Sequence, residues 1–390
     1  MSSEDAPKST LKKNILRWGI GIVLPLVLIG LIFGLQKFML SYPSAGEAYA
    51  RGAFRVISFI PSKITNLIPI SISEVLVVSG IFAAPFLIAW FIIRMVRAIK
   101  NRKGRRFFFT KARILAWGLC IFYLDFMLMH GLNYTRRPLN ETLGFGEKTY
   151  TVEELAEVYV WVISELNQER AQCLENDKGV LIYPGGVNAF FNDAPKYYKE
   201  GAEKFPSLGG NIGRPKPVAL SHYWSYTEIV GMYMAFLAEC NVNKATTFTE
   251  IASSAFHEMT HLNGYAVENN ANLASMLVRM NCSQHEIRYT AFYDALPLIE
   301  KDIVKAFNGK RDVLYQILDQ VPLCDGFYRD NNAQVDFWET INPPKIVETV
   351  SNSVNDSFLK VNQQEEGVES YHMESSVVAD YYFTYVRPKG

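Results

Sequence analysis

Three long apolar runs in the first third of the chain constrain its fold more than any other feature. They are Trp18–Leu35, Val75–Ile93 and Ile114–Leu132, and the only acid among them is Asp125. A helix advances about 1.5 Å per residue, so runs of roughly 18–19 residues can each cross a hydrocarbon layer about 30 Å thick. Overall the chain is 49% apolar, an ordinary globular value, so the concentration of these residues and not their number carries the argument. A signal peptide would also begin with Lys8, Lys12, Lys13 and Arg17. The apolar stretch that follows is too long for one, and no small-residue cleavage site lies close behind it. It reads as a retained helix, with a kink expected at Pro25.

Basic residues set the expected orientation. The connection between the second and third runs, 94–113, holds Arg94, Arg97, Lys100, Arg102, Lys103, Arg105, Arg106, Lys111 and Arg113 with no acid. The longer stretch between the first and second runs has only Lys37, Arg51, Arg55 and Lys63. The positive-inside rule places residues 1–17 and the basic connection in the cytoplasm. With 18–132 as a three-helix membrane region, residues 133–390 then lie outside the cytoplasm. The formal net charge of zero hides this local asymmetry. Between two spans the basic cluster is a topology signal and a contact for anionic lipid, so nucleic acid is not an expected partner. The lipid bilayer is. Within the outer segment 41–72, Phe54–Ile72 mixes apolar and polar residues around Pro61 and Pro69, the pattern of an interfacial helix or helix pair. Asp125, inside the third run, is read as a packing residue facing another helix.

The C-terminal part is expected to be mainly helical with a small sheet. Thr151 with Glu154 three residues on forms a capping-box pattern opening a helix to Leu174. Pro184–Gly186 marks a turn and Pro206–Pro217 a loop. Strands are expected at Val218–Trp224 and Val230–Ala238, with a turn through Asn241–Asn243. Helices follow at Phe248–Leu262 and Glu268–Met280, with Gly264 as a C-terminal cap. Later helices are expected at Ala291–Phe307, Asp312–Ile317, Ile346–Val361 and Met373–Tyr385. Cys120, Cys173, Cys240, Cys282 and Cys324 fit no CxxC metal spacing and are expected as free thiols.

Within the Phe248–Leu262 helix stands His257-Glu258-Met259-Thr260-His261. Positions i and i+4 share a helix face, so both imidazoles can reach one metal ion, while Glu258 can reach a water on that ion. A third ligand leaves one position open for water, and Glu268, at the start of the next helix, is the expected one. The alternative for Glu268 is an acid favoured there by the helix dipole. Asn272 lies four residues on, completing a Glu-x-x-x-Asn that resembles the Glu-x-x-x-Asp of gluzincins, where the acid supports a ligand histidine. Val267 stands where a metzincin has a histidine, so that class does not fit. Peptide hydrolysis needs a donor for the developing oxyanion, and Tyr233, His285, Arg288 and Tyr289 are the candidates. Gly231, Tyr233 and Glu239, on or at the end of the preceding strand, are candidate residues of an edge along which an extended peptide pairs. His130 and His372 are read as structural.

The sequence resembles DUF3810, a bacterial membrane family of unknown function grouped with zincin-like metallopeptidases. The likeness runs through Tyr42-Pro43, Tyr49–Gly52, Leu67–Pro69, Gly131–Leu139, Glu239 with Asn241–Asn243, His257–Asn272 and Arg288-Tyr289. It continues in Val354–Asp356, Leu359-Lys360 and Gly367–Tyr371. Where the family usually has an acid this chain has Asn270; the spacing to Asn272 favours Glu268 as ligand. The resemblance implies a zincin-like α+β domain and supplies no substrate.

The expectation is therefore a membrane-anchored zinc metallopeptidase acting on a peptide or protein outside the cytoplasm. His257, His261 and Glu268 would bind zinc and Glu258 would act as general base. One rival is a zinc-stabilised pseudoenzyme that binds or senses; its case rests on Asn270 and Asn272, and an intact Glu258 speaks against it. The other is a metal-free membrane scaffold in which the motif is coincidental.

Overall fold

The structure is a computed structural model that describes residues 19–145, 148–345, 347, 349, 351, 353 and 376–387. Residues 1–17, His372 and most of the expected helix Ile346–Val361 lie outside the described residues, as does the start of the expected helix Met373–Tyr385.

Among the described residues, three helices are long and apolar enough to cross a membrane: Gly19–Ser41, Ile72–Lys100 and Gly104–Met129. The first opens as a π-helical turn, Gly19–Val23, and continues as α1, Leu24–Ser41. Pro25 sits at the joint, where its missing N–H and its ring would disturb regular α-helical bonding. Two short helices follow, α2 (Pro43–Arg51) and α3 (Ala53–Asn66), and then the second and third spans, α4 (Ile72–Lys100) and α5 (Gly104–Met129). Ser71 caps α4 by accepting from the Glu74 backbone N–H at 3.0 Å. The basic connection is not an open loop. Both spans continue as helix through most of it, leaving a turn at 101–103, with Arg102 in the left-handed region at φ 55°. Arginine and lysine are good helix formers with long stems, so the charge extends the spans into water.

Helix α3 is inside out for a soluble protein. Phe54, Ser58, Ser62 and Thr65, spaced along one face, are buried, while Val56, Ile57, Phe59, Ile60 and Ile64 are exposed. The polar face binds the C-terminal part. Asn211 Nδ2 donates to Arg55 O at 2.6 Å and to Ser58 Oγ at 2.8 Å. The Arg214 backbone N–H donates to Asn66 Oδ1 at 2.9 Å, and Arg55 Nη2 donates to Gly209 O. An apolar face left exposed beside three spans fits a helix lying between lipid and protein.

The C-terminal part begins with a 3₁₀ turn, Gly131–Thr135, and a short α6, Leu139–Leu143. Its helices are α7 (Val152–Arg170), α8 (Gly186–Ala202) and α9 (Ser221–Ser225), then α10 (Phe248–Leu262), α11 (Glu268–Met280) and α12 (His285–Ala306). After these come α13 (Asp312–Gln320), α14 (Asp325–Thr340) and α15 (Ser376–Tyr381). The capping box is present: Glu154 N donates to Thr151 Oγ1 at 3.3 Å, and Thr151 N donates to Glu154 Oε2 at 2.8 Å. That helix stops at Arg170, short of Leu174, and the Arg170 guanidinium turns inward to Asp330 at 2.7 Å. Helix α14, whose buried anchor is Asp330, is so polar that no apolar period announced it. Among the described residues, the core of this part is built mainly of α7, α8, α10, α11 and α12. All five cysteines are free.

The sheet has three strands in the order β1 (Lys216–Pro217), β3 (Glu239–Val242), β2 (Gly231–Met234). It corrects both strand expectations. Val218–Trp224 is not a strand: the pairing ends when Val218 N donates to Val242 O at 3.0 Å, and Ser221 then opens α9. Val230–Ala238 breaks after Met234, because Ala235–Leu237 form a 3₁₀ turn and Ala238 adopts φ 47°. The chain thus doubles back, and Asn241, expected in a turn, becomes part of the central strand. Buried partners outweigh its turn preference. Lys216 Nζ pairs with Glu239 at 2.6 Å, both fully buried, and Asn241 Nδ2 donates to Ser73 Oγ at 3.1 Å. Glu239 also accepts from the Ile72 and Ser73 backbone N–H groups at 3.1 and 2.9 Å, at the N-terminus of α4.

Breaking a buried pair leaves an uncompensated charge, so Glu239→Leu is expected to destabilise the protein by about 3–5 kcal/mol. Adding Lys216→Met should recover part of that loss. Thermal unfolding in detergent measures both, and an unchanged Tm for Glu239→Leu would refute the role given to this contact.

Candidate metal centre

Helix α10 buries Ile251, Ala252, Ala255, Phe256, Met259 and Leu262 in the core, and this orientation fixes where its histidines point. His257 and His261 lie one turn apart, with ring centroids 4.5 Å apart and planes nearly perpendicular. The chain then reverses through Gly264 at φ 84°, a left-handed position that glycine adopts without strain. Glu268 follows as the first residue of α11, with Oε2 3.1 Å from His257 Nε2 and 3.4 Å from His261 Nε2. Ligand atoms of all three lie within 4.8 Å of one another.

The donor set fits zinc. Bonds of about 2.0–2.1 Å in a tetrahedron place neighbouring ligand atoms about 3.3–3.4 Å apart, close to the two carboxylate–imidazole distances. His261 Nδ1 lies 2.6 Å from the Tyr265 carbonyl oxygen, so it donates there and leaves the Nε2 lone pair facing Glu268. Burial by itself would raise Glu268, but His261 and His257 beside it hold its carboxyl well below the ordinary range. Burial opposes the charge on His261, and Glu268 nevertheless lifts it to about 9. The buried Glu268 carboxylate thus favours a positive charge beside it on His261, which a dication can supply in place of a proton.

Support for His257 is different. Its Nδ1 is buried with no hydrogen-bond partner among the described residues. Asn272, expected to orient a ligand histidine, makes no side-chain bond to either ring among the described residues.

Glu258 is buried against β2. Burial chiefly raises its pKa, while His257, His261 and a backbone hydrogen bond from Tyr233 partly offset this. A Cβ on Gly231 would overlap Ser254 Oγ and Glu258 Oε1, so the strand presses directly on the carboxylate. In the β2–β3 ladder Asn243 N donates to Val230 O at 2.7 Å, and Met232 lies opposite Asn241. Antiparallel geometry alternates, so Gly231 and Tyr233 turn their backbone groups to the outer edge. Glu239, also expected on that edge, belongs to the central strand, tied to Lys216 and α4.

Of the four oxyanion candidates only Tyr233 is at the centre. Its ring lies 6.1 Å from that of His261, and its buried hydroxyl has no partner among the described residues. Burial holds that hydroxyl far above its ordinary pKa, so it stays a donor. The other three are engaged elsewhere. His285 Nδ1 is 2.7 Å from Glu169, Arg288 is 3.0 Å from the same carboxylate, and Tyr289 donates to Asp330 at 2.9 Å. His130, read as structural, proves to border the site: its ring is 5.7 Å from that of His261 and 5.9 Å from that of Tyr233. Its place near the end of the third apolar run was the only hint, and it says nothing about what the ring faces.

The helix end behind the ligands is held from the membrane side. Arg136 Nη1 donates to Asn263 O at 3.3 Å and Gly264 O at 3.2 Å, while Glu47 of α2 takes the rest of the guanidinium at 2.9 Å. Phe54 of α3 packs on Gly264.

Because Gly231 leaves no room for a methyl group, Gly231→Ala is expected to cost about 1–3 kcal/mol through overpacking, and Gly231→Val more. Unfolding curves check this, and an unchanged Tm for Gly231→Val would show that the strand does not press on Glu258.

Comparison with known proteins adds one positive finding. The profile of DUF3810, described as a protein of unknown function, matches residues 49–376, from α2 through both later spans and the candidate ligands. No curated protein and no solved structure matches the chain. A match over most of the length makes this chain a member of the DUF3810 family.

Proposed function

We propose that this is a membrane-anchored zinc metallopeptidase whose active site lies outside the cytoplasm. The observation that carries the reading is the convergence of His257, His261 and Glu268 within 4.8 Å, with Glu258 buried between them and an edge strand. A zinc ion held there supplies Lewis acidity and makes water at its open position more acidic. The chain's own residues do the rest. Glu258, its pKa raised by burial, accepts the proton of the attacking water and returns it to the leaving amine. The Tyr233 hydroxyl donates toward the developing oxyanion. The outward backbone groups of Gly231 and the Tyr233 carbonyl pair with an extended substrate, the Tyr233 N–H being held by Glu258. The fold class is correspondingly read as a membrane helical region followed by a zincin-like domain.

A second reading, a zinc-stabilised domain that binds or senses without hydrolysis, is favoured by one observation: the His257 ring lacks the buried partner that a tuned catalytic ligand usually has. Variants separate the two. Elemental analysis should find about one zinc per chain, lost in His257→Ala with His261→Ala. Glu258→Gln should keep its zinc and lose roughly 10²–10⁴-fold in peptide hydrolysis. Zinc retained without both histidines would end the metal assignment. Zinc present with no hydrolysis by the wild type would favour the sensor.

Placement outside the cytoplasm follows from the basic residues at the α4–α5 turn. Reporter fusions at that turn and at the C-terminus should report opposite compartments, and a cytoplasmic C-terminus would overturn the placement.

A further inference from the structure

We infer that the substrates are membrane-anchored polypeptides, bound at the stretch that emerges from the bilayer. The chemistry rests on the hydrolase reading above; the location rests on a separate set of contacts. His130, next to the site, directly follows Met129, the last residue of α5. The metal centre is thus level with the end of a membrane span. Just beyond β2, Phe236 stacks on Phe122 with ring centroids 4.4 Å apart. Phe122 lies within α5, about two turns or 10 Å short of its end.

The other side of the hairpin is fixed at the same level. Glu239 binds the N-terminus of α4, and Glu74 in the first turn of α4 accepts from the Ala219 and Leu220 backbone N–H groups at 2.7 Å each. The outer edge of β2 therefore runs from the buried Glu258 carboxylate down beside α5 to the depth of the hydrocarbon. Met232, exposed on β2 itself, adds an apolar side chain there. An extended chain advances about 3.3 Å per residue, so a strand laid along this edge enters the bilayer within about ten residues of the cut. An anchored substrate is held at that height by its own span, which raises its effective concentration at the edge. A free peptide of the same sequence is not.

The test uses the full chain in lipid nanodiscs with zinc. Its probes are a library of single-span peptides whose 20 outward residues are randomised and the same segments without the span. Mass spectrometry reads the cuts. A photo-crosslinking residue, p-benzoylphenylalanine in place of Met232, reads docking in the Glu258→Gln background. Anchored peptides should be cut at least roughly tenfold faster than free ones, within about ten residues of the bilayer, and should form the adduct preferentially. Equal rates for free and anchored peptides would overturn the membrane-proximal substrate class and leave the hydrolase reading standing. Adducts with anchored peptides but no cuts by the wild type would uphold membrane-side docking and end the hydrolase reading. Neither cuts nor adducts would overturn both.

Discussion

The Glu239 carboxylate, buried where the sheet meets the membrane helices, is the interaction on which the arrangement of this molecule turns. It pairs with Lys216 at 2.6 Å and accepts from backbone N–H groups at the start of α4. A carboxylate is well placed there, since a helix N-terminus presents unsatisfied N–H groups and partial positive charge. Its cost of burial is offset only while every one of these partners stays in register. The contact therefore fixes β3 against the span, and β2, paired to β3, can lie in only one place: beside α5 and over Glu258.

The same logic holds at the far end of the helix that carries the histidines. Its last carbonyl groups are met by Arg136, which Glu47 of α2 neutralises, and its terminal turn is covered by Phe54 of α3. The candidate metal centre is thus framed by residues of the segment before the second span as much as by its own core. An inverted helix such as α3, polar toward protein and apolar outward, makes sense only as part of that frame.

Much of this was legible in the sequence because it depends on local periodicity. The apolar runs, the Thr151 capping box, the helix Phe248–Leu262, the cap at Gly264 and the start of α11 at Glu268 all follow from rules that operate within a few residues. Other features were misread because non-local partners decided them. Asn241 looks like a turn residue and Glu239 like the end of an edge strand until Ser73 and Lys216 are placed beside them. Helix α14 has no apolar stripe to announce it, and its anchor Asp330 finds Arg170 from a distant helix.

The sequence by itself determined three helices long and apolar enough to cross a membrane and the placing of His257 and His261 on one helix face, since both follow from the 1.5 Å rise and the 3.6-residue turn. Only the tertiary structure decided which residues surround that face. Tyr233 and His130 come to the centre, while His285, Arg288 and Tyr289 turn away to Glu169 and Asp330. Nothing local distinguishes these residues. Their positions are set by how helices and strands distant in sequence pack, and a buried polar group settles wherever that packing supplies its partner.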